Sequence, residues 1–211
     1  ISAGSANTVA GDYSTIGGGG GANLVDGNTV NGNYSGVSSG EANVAGGNWS
    51  HVGGGKTNDA AGEEAVIGGG NENKANADRS YIGGGITNVV DGELSVVSGG
   101  EGNKIGSGAN AIAKWGAIAG GNTNQIAPAD DVTANYGTIG GGIENKIGNA
   151  ATFPANYGTI GGGQANQIVP TASANHGTIA GGHDNHVKGN YGTIGGGHYN
   201  RLDPENGTIG G

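Results

Sequence analysis

One phrase returns twelve times along the chain: an aliphatic residue, three small residues, two variable residues and then Asn. The aliphatic residue, defined here as position 0, stands at 1, 16, 37, 52, 67, 82, 97, 118, 139, 160, 179 and 194. A truncated thirteenth copy begins at Ile209. Most steps between copies are 15 residues, and the others are 19 or 21. A short unit repeated with small insertions predicts a solenoid, which is a stack of similar coils.

The composition favours a stack over an ordinary globular domain. The 211 residues include 52 Gly, one Phe and no Met, so large side chains are too few for a globular core of this size. Gly does not occupy every third position, which excludes collagen, and the regular aliphatic positions argue against disorder. We expect a single solenoid over 1–211. Compact 15-residue coils would cover 1–105 and 179–211, and coils with stacked insertion loops would cover 106–178.

Alternating small and variable positions predict two short strands in each coil. Position −2 is Ser, Ala or Gly in every coil, whereas position −1 ranges from Gly36 to Tyr81. Successive residues of a strand point to opposite sides, so 0 and −2 face inward and −1 faces outward. Position +8 is Ala or aliphatic and is the second inward position, and the variable position +7 faces solvent. We predict strands over −3 to 0 and +6 to +8, arranged as an all-β parallel roll of about twelve coils.

Position +3 is Gly in every unit, if the second unit carries one extra residue so that Gly20 replaces Gly19. Gly adopts positive φ angles without steric cost, so position +3 is predicted to be a corner of the coil. The predicted turn residues are Gly55, Gly70, Gly85, Gly100, Gly121, Gly142, Gly163, Gly182 and Gly197.

Position +6 is Asn in all twelve units, with Asn23 assigned to the second. Coils of a parallel stack lie roughly 4.8 Å apart. At that spacing a column of Asn can hydrogen-bond from amide to amide. The predicted Asn ladder consists of Asn43, Asn58, Asn73, Asn88, Asn103, Asn124, Asn145, Asn166, Asn185 and Asn200.

The predicted core is thin. Each coil contributes two inward aliphatic side chains and often an aromatic residue at position −3, such as Tyr13 or Trp49. Two aliphatic side chains bury little apolar surface to offset the conformational entropy lost by fifteen ordered residues. We therefore expect several copies to pack together as a homo-oligomer. The aromatic column is interpreted as packing at a coil corner or between chains, with carbohydrate stacking as the alternative.

The units Asp12 to Gly19 and Asn190 to Asn200 resemble the head repeats of trimeric autotransporter adhesins, the YadA-like group. Similar repeats occur in phage fibres and other surface filaments. The resemblance covers essentially the whole chain. It implies a left-handed parallel β-roll assembled as a trimer, located outside the cell or on its surface. It also implies binding to a surface protein or glycan. No coiled-coil stalk, neck or anchor accompanies the repeats in this sequence.

The insertions are predicted to lie after position +8, giving loops over 106–114, 127–135, 148–156 and 169–175. Stacked coils would place these loops on one side of the solenoid. Loops on a rigid scaffold are frequent binding sites, but the preferred interpretation is that the insertions are padding or an extra layer over a core edge. The candidate binding residues in or beside them are Trp115, Asp130, Asp131, Phe153 and Pro154.

Other chemistry finds little support in the sequence. His183 and His198 share position +4, and two stacked imidazoles could bind a transition metal, but solvent-facing histidines are the preferred interpretation. No residues recur in a catalytic arrangement, and no Lys-Ser/Thr follows the Gly runs as a phosphate loop requires. We predict no enzyme activity, no metal and no cofactor. A net charge of −9 without a basic cluster argues against nucleic acid, and no apolar run is long enough to span a membrane.

Two functions remain. The first is a non-catalytic extracellular structural or adhesive solenoid, the head or shaft of a trimeric surface adhesin. The second is a self-assembling filament subunit or a phage tail-fibre segment, because the repeats begin and end without a polar cap. Ice binding is a weaker third possibility, because Thr occupies position −1 in only part of the chain. Since residue 1 is Ile, we expect a processed chain or a piece of a longer one.

Overall fold

The computed structural model describes residues 1–2, 4–21, 23, 26–107, 112–128, 133–148, 154–169, 176–203 and 205–211. Within these residues, twenty-four strands of two residues each, numbered β1 to β24 in chain order, form two parallel sheets of 12 strands. Each strand other than the first and last of its sheet pairs with its equivalents in the preceding and following coils, as Ile139 does with Ile118 and Ile160. The predicted all-β parallel solenoid of twelve coils is therefore confirmed.

Sheet A contains the odd-numbered strands, which occupy positions +7 and +8. They are β1 (Thr8–Val9), β3 (Thr29–Val30), β5 (Val44–Ala45), β7 (Asp59–Ala60), β9 (Lys74–Ala75), β11 (Val89–Val90), β13 (Lys104–Ile105), β15 (Gln125–Ile126), β17 (Lys146–Ile147), β19 (Gln167–Ile168), β21 (His186–Val187) and β23 (Arg201–Leu202).

Sheet B contains the even-numbered strands, which occupy positions −1 and 0. They are β2 (Thr15–Ile16), β4 (Gly36–Val37), β6 (His51–Val52), β8 (Val66–Ile67), β10 (Tyr81–Ile82), β12 (Val96–Val97), β14 (Ala117–Ile118), β16 (Thr138–Ile139), β18 (Thr159–Ile160), β20 (Thr178–Ile179), β22 (Thr193–Ile194) and β24 (Thr208–Ile209).

The strands are shorter than predicted, because position −3 lies in a turn and position +6 precedes its strand. At position −3 the backbone is left-handed, with φ of +57° at both Tyr136 and Tyr157. Side chains other than Gly, Asn and Asp rarely adopt this conformation. Here a hydrogen bond between adjacent coils stabilises the left-handed conformation, because the Tyr157 N–H donates to the Asn135 carbonyl at 2.9 Å. The prediction of strands over −3 to 0 and +6 to +8 was wrong by one or two residues at each start.

The interior follows the predicted alternation. Ile139 at position 0 and Ile147 at position +8 are fully buried, whereas the outward neighbour Thr138 is exposed. Position −2 also faces inward and has little room. A Cβ atom added to Gly158 would lie 2.8 Å from Cγ2 of Ile147.

Positions +8 and −2 share one interior space, so their sizes vary inversely along the chain. Where +8 is Ala45, the following −2 residue is Ser50, and both are buried. Where +8 is Ile147, the following −2 residue is Gly158. The same exchange separates the earlier coils, with Ala or Val beside Ser or Ala, from the later coils, with Ile, Val or Leu beside Gly.

The second coil corrects the predicted alignment. Asn28, and not Asn23, lies in the Asn column, because the Asn28 N–H donates to Oδ1 of Asn7 at 2.8 Å. Gly19, and not Gly20, occupies the corner, with φ of +86° and its Cβ direction blocked by the Gly40 carbonyl. The extra residues of this coil therefore lie between the corner and the Asn, rather than after position +8 as in the later coils.

Within the part of the chain that the structure describes, no helix has the length and apolar character needed to cross a membrane.

Candidate binding surfaces

The Asn column forms a continuous buried ladder. The backbone N–H and Nδ2 of Asn124 both donate to Oδ1 of Asn103, at 3.0 and 3.1 Å. Its Nδ2 also donates to the carbonyls of Gly120 and Gly142, both at 2.9 Å. The same pattern joins Asn43 through Asn185, and all of these side chains are fully buried. The ladder satisfies the polar groups that the turns would otherwise leave buried without partners, so its role is structural.

The nine predicted turn glycines all have φ between +89° and +97°. Close stacking adds a second requirement for Gly. A Cβ atom on Gly121, for example, would lie 2.1 Å from the Gly142 carbonyl oxygen of the next coil. These residues therefore shape the corner, and they offer no side chain to a ligand.

The aromatic residues at position −3 lie outside the core, on the surface. Trp115, Tyr136, Tyr157, His176 and Tyr191 form one parallel stack with ring centroids 4.7–5.0 Å apart. The ring faces are covered by neighbouring rings, and what meets solvent is mainly their edges. The aromatic column therefore does not contribute to the interior of its own chain, and face-on sugar stacking has little ring surface available.

Position −4 carries a second polar ladder that the sequence interpretation missed. The Asn135 N–H donates to Oδ1 of Asn156 at 3.0 Å, and the Lys114 N–H donates to Oδ1 of Asn135 at 3.0 Å. Asn33 and Asn48 are joined in the same way at 3.0 Å. The recurring Asn-aromatic pair, as in Asn33-Tyr34 and Asn156-Tyr157, was the available signal in the sequence.

The insertion loops are described only in part. Asp130, Asp131 and Phe153 lie outside the described residues. Pro154 is half-buried, and Trp115 is the first ring of the aromatic stack, 45% exposed. In the described ends of the loops, Ile112 bridges Thr133 in parallel. The structure thus brings no cluster of the predicted loop residues together within its described part.

The four histidines near the end of the chain lie in three places. His183 and His198 bridge adjacent coils with ring centroids 4.6 Å apart. His186 Nε2 lies 2.9 Å from Oδ1 of Asp184, whereas His176 belongs to the aromatic stack. Among the described residues, no group of three or more His, Cys, Asp or Glu side chains has the arrangement to hold a metal ion.

Sheet B and the segment after it present an uncharged face, defined by positions −1, +1 and +2. Its outward strand residues run from Thr15 to Thr208, and none of the twelve is Asp, Glu, Lys or Arg. Positions +1 and +2 are Gly, Ala or Ser throughout. Tyr81 and Val96 are among the exposed large hydrophobic side chains, 43% and 37% exposed.

Sheet A differs, because its outward column at position +7 carries charge. Four of the chain's eight Lys and Arg residues lie on it. They are Lys74, Lys104, Lys146 and Arg201. Only Asp59 is acidic among the twelve residues of this column. Burial raises the pKa of the Asp59 carboxyl, and the Lys74 ammonium on the next coil partly opposes that rise.

A groove of about 590 Å³ follows this column over five coils. One wall is the +7 column with Lys74, Val89 and Lys104, and the other is the +5 column with Thr87 and Thr123. The Thr123 hydroxyl oxygen is buried in the wall and has no hydrogen-bond partner among the described residues. In size the groove falls within the range of ligand sites.

Compared with protein-family models and with curated proteins, the sequence matches none of them.

Proposed function

We propose that this chain is a non-catalytic extracellular structural or adhesive solenoid, forming the head or shaft of a trimeric surface adhesin. The observation that carries the proposal is the uncharged face, which runs along all twelve coils of sheet B. The chain has 17 acidic and 8 basic residues, yet this face has none. Depletion of charged residues is characteristic of the buried centre of protein–protein interfaces.

The thin interior supports assembly with further copies. Among the described residues, the largest fully buried side chains are all Ile, and each coil supplies at most two large inward side chains. Packing the uncharged faces together would remove additional apolar surface from water, at roughly 25 cal/mol per Å². Small residues at positions +1 and +2 would let backbones approach closely.

The extracellular and adhesive parts of the proposal rest on the resemblance of the repeats to adhesin heads. Outward positions vary freely on a rigid stack, which suits a surface that presents binding groups. The proposed partners are other copies of this chain and a surface protein or glycan.

Light scattering of the chain at micromolar concentration tests the assembly. We expect a discrete trimer, and a stable folded monomer would contradict the proposal. An assembly that keeps growing with concentration would instead favour the filament or tail-fibre alternative. Thr138→Glu adds a charge to the uncharged face and should dissociate the trimer, because an interfacial charge without a partner is costly. Gln125→Glu adds the same charge to sheet A and should leave the trimer intact.

Adhesion requires a separate measurement. Beads coated with the purified chain should attach to cultured cells or to immobilised matrix proteins more than beads coated with albumin. A trimer without attachment to either surface would leave a structural shaft and remove the adhesive role.

A further inference from the structure

The basic residues of sheet A follow a regular spacing. Lys74, Val89, Lys104, Gln125, Lys146 and Gln167 are consecutive neighbours on the +7 column, joined by parallel pairing. Cations therefore alternate with neutral residues, one cation every second coil. With a rise of roughly 4.8 Å for each coil, the cations are spaced by ~9.6 Å.

The three lysines are available to a ligand. Lys74 is exposed and Lys104 is half-buried, and both line the groove. Lys146 is half-buried on the same column, beyond the end of the groove. None of the three forms an ion pair among the described residues, whereas Lys56 and Lys114 are paired with Glu41 and Glu93.

Other groups on this face modify its charge. Asp59 lies directly beside Lys74 on the column, and Glu72 lines the same groove. At the far end, Arg201 is paired with Asp203 and His186 with Asp184. Glu144 lies two residues before Lys146, as Glu72 lies two residues before Lys74. The positive charge of the column is therefore least opposed at Lys104.

We propose that the outward face of sheet A binds a linear acidic polysaccharide, with Lys74, Lys104 and Lys146 contacting acidic groups on every second sugar. An extended chain of pyranose rings advances by close to one coil rise per sugar. A polymer in which acidic and neutral sugars alternate would then match the column of lysines. This inference names the ligand class within the proposed surface-binding function, and it does not depend on the oligomeric state.

The groove supplies the remaining contacts of a sugar site. Val89, between two lysines, offers an apolar surface to a ring, and Gln125 offers an amide. Such a site would be salt-sensitive, because exposed charge pairs are screened beyond about 10 Å at 0.1 M salt.

The same charges argue against this face being the contact between copies. Two such columns brought together would oppose like charges, which is destabilising. The uncharged face on sheet B carries no such penalty, so the polysaccharide face and the proposed oligomer face occupy different sides of the coil.

The test is calorimetric titration of the full chain with hyaluronan oligosaccharides, in which a carboxylate recurs on every second sugar, in about 50 mM salt. Alginate, with a carboxylate on every sugar, and neutral dextran are the comparison polymers. We expect hyaluronan to bind and dextran not to bind. The triple variant Lys74→Gln, Lys104→Gln, Lys146→Gln should weaken hyaluronan binding by about tenfold or more, given the usual strength of exposed charge pairs. The matched triple variant Lys56→Gln, Lys114→Gln, Lys188→Gln should change it by less than about twofold.

A charge-conserving variant tests the spacing. Lys104→Gln combined with Gln125→Lys keeps the number of cations but moves one of them by one coil. Hyaluronan binding should fall by about threefold or more, whereas alginate binding should stay within about twofold. Absence of hyaluronan binding, or equal losses in the two triple variants, would overturn the proposal. Unchanged hyaluronan binding by the shifted variant would overturn the match in spacing. A trimer that fails to bind hyaluronan would overturn this inference alone, and a monomer that binds it would overturn only the proposed assembly.

Discussion

The early and late coils follow the same backbone path but fill it differently. In the early coils, Ala45, Ala60 and Ala75 at position +8 are followed by Ser50, Ala65 and Ser80 at position −2. In the later coils, Ile at +8 is always followed by Gly at −2. A Cβ atom on the Gly would lie 2.8–2.9 Å from the Ile Cγ2. The comparison teaches that stacking fixes the interior volume of a coil. How this volume is divided between the side chains at positions +8 and −2 can vary from coil to coil.

The largest expected effect comes from charging the interior of a late coil. Ile139→Asp should unfold the chain or prevent its assembly, because a buried carboxylate without a partner costs several kcal/mol. Thermal denaturation followed by circular dichroism measures the loss. Gln167→Asp, on the outward column of sheet A, is the matched control and should melt close to the wild type. A folded Ile139→Asp variant with an unchanged melting temperature would contradict the assigned interior.

The Asn ladder is common to the early and late coils, so removing one Asn side chain should lower the free energy of unfolding by the same amount in each region. Asn58→Ala and Asn124→Ala each remove a side chain that bonds both neighbouring Asn residues. Each variant leaves several buried polar groups without partners, and we expect a loss of about 3 kcal/mol or more. Urea denaturation measures both. Gln125→Ala, one residue along the chain but facing outward, should cost far less. Unequal losses at the two Asn positions would mean that the regions differ in more than their apolar packing.

The shared volume makes a directional prediction for the late coils. Gly158→Leu should destabilise by about 1–3 kcal/mol or more, because neighbouring coils leave little room for an added side chain. Thr159→Leu, at the next residue but facing outward, should cost much less, as Tyr81 and Val96 occupy the same position in earlier coils. The melting temperatures of the two variants show which of positions −2 and −1 faces the interior. Equal losses of stability, or a greater loss for Thr159→Leu, would contradict the assignment of position −2 to the interior and position −1 to the surface.

A rescue experiment sharpens this prediction. Gly158→Ser should be destabilising beside Ile147. Combining it with Ile147→Ala recreates the pair found at Ala45 and Ser50. The double variant should then be more stable than the sum of the two single losses predicts. Simple additivity would indicate that the two columns do not share a volume.

The smallest effect concerns Asp59 in the early region. Burial raises the pKa of this carboxyl in the folded state, so the folded chain binds its proton more tightly than the unfolded chain. The free energy of unfolding should therefore decrease as the pH rises from the ordinary aspartate pKa to the raised pKa of Asp59 in the folded chain. Asp59→Asn should remove this part of the pH dependence and slightly stabilise the chain at neutral pH. Urea denaturation at a series of pH values checks it, and an unchanged pH profile would contradict the role of burial.

Period and alternation predicted most of the fold. The regular spacing of Ile67, Ile82 and Val97 was enough to assign position 0, because parallel stacking requires equivalent residues to lie above one another. The second coil was misaligned because Asn23, which lies within the insertion, was taken for the ladder residue, which is Asn28. The triplet Asn28-Thr29-Val30 matches Asn7-Thr8-Val9 and was the signal for the correct choice.

The left-handed turns were beyond sequence reasoning. Tyr, Trp, Glu, Arg and Leu all occupy position −3, and their intrinsic preferences argue against positive φ. The hydrogen bonds that stabilise this conformation come from another coil, such as the bond from the Trp49 N–H to the Asn33 carbonyl at 2.9 Å. Local propensity could not reveal such a contact. The groove and the basic column were missed for a similar reason, since they appear only when every +7 residue is aligned with its neighbours.

The Asn ladder also has a direction. Each Asn donates to the Asn of the preceding coil and accepts from the Asn of the following one, as Asn145 does between Asn124 and Asn166. In each coil of the ladder, therefore, the Asn Nδ2 group faces the Asn of the preceding coil and the Asn Oδ1 atom faces the Asn of the following coil. Removing one whole compact coil, such as residues 68–82, would join equivalent backbone positions and leave the Asn ladder continuous, with Asn58 next to Asn88. Duplication or loss of a single repeat would therefore lengthen or shorten the solenoid by the rise of one coil.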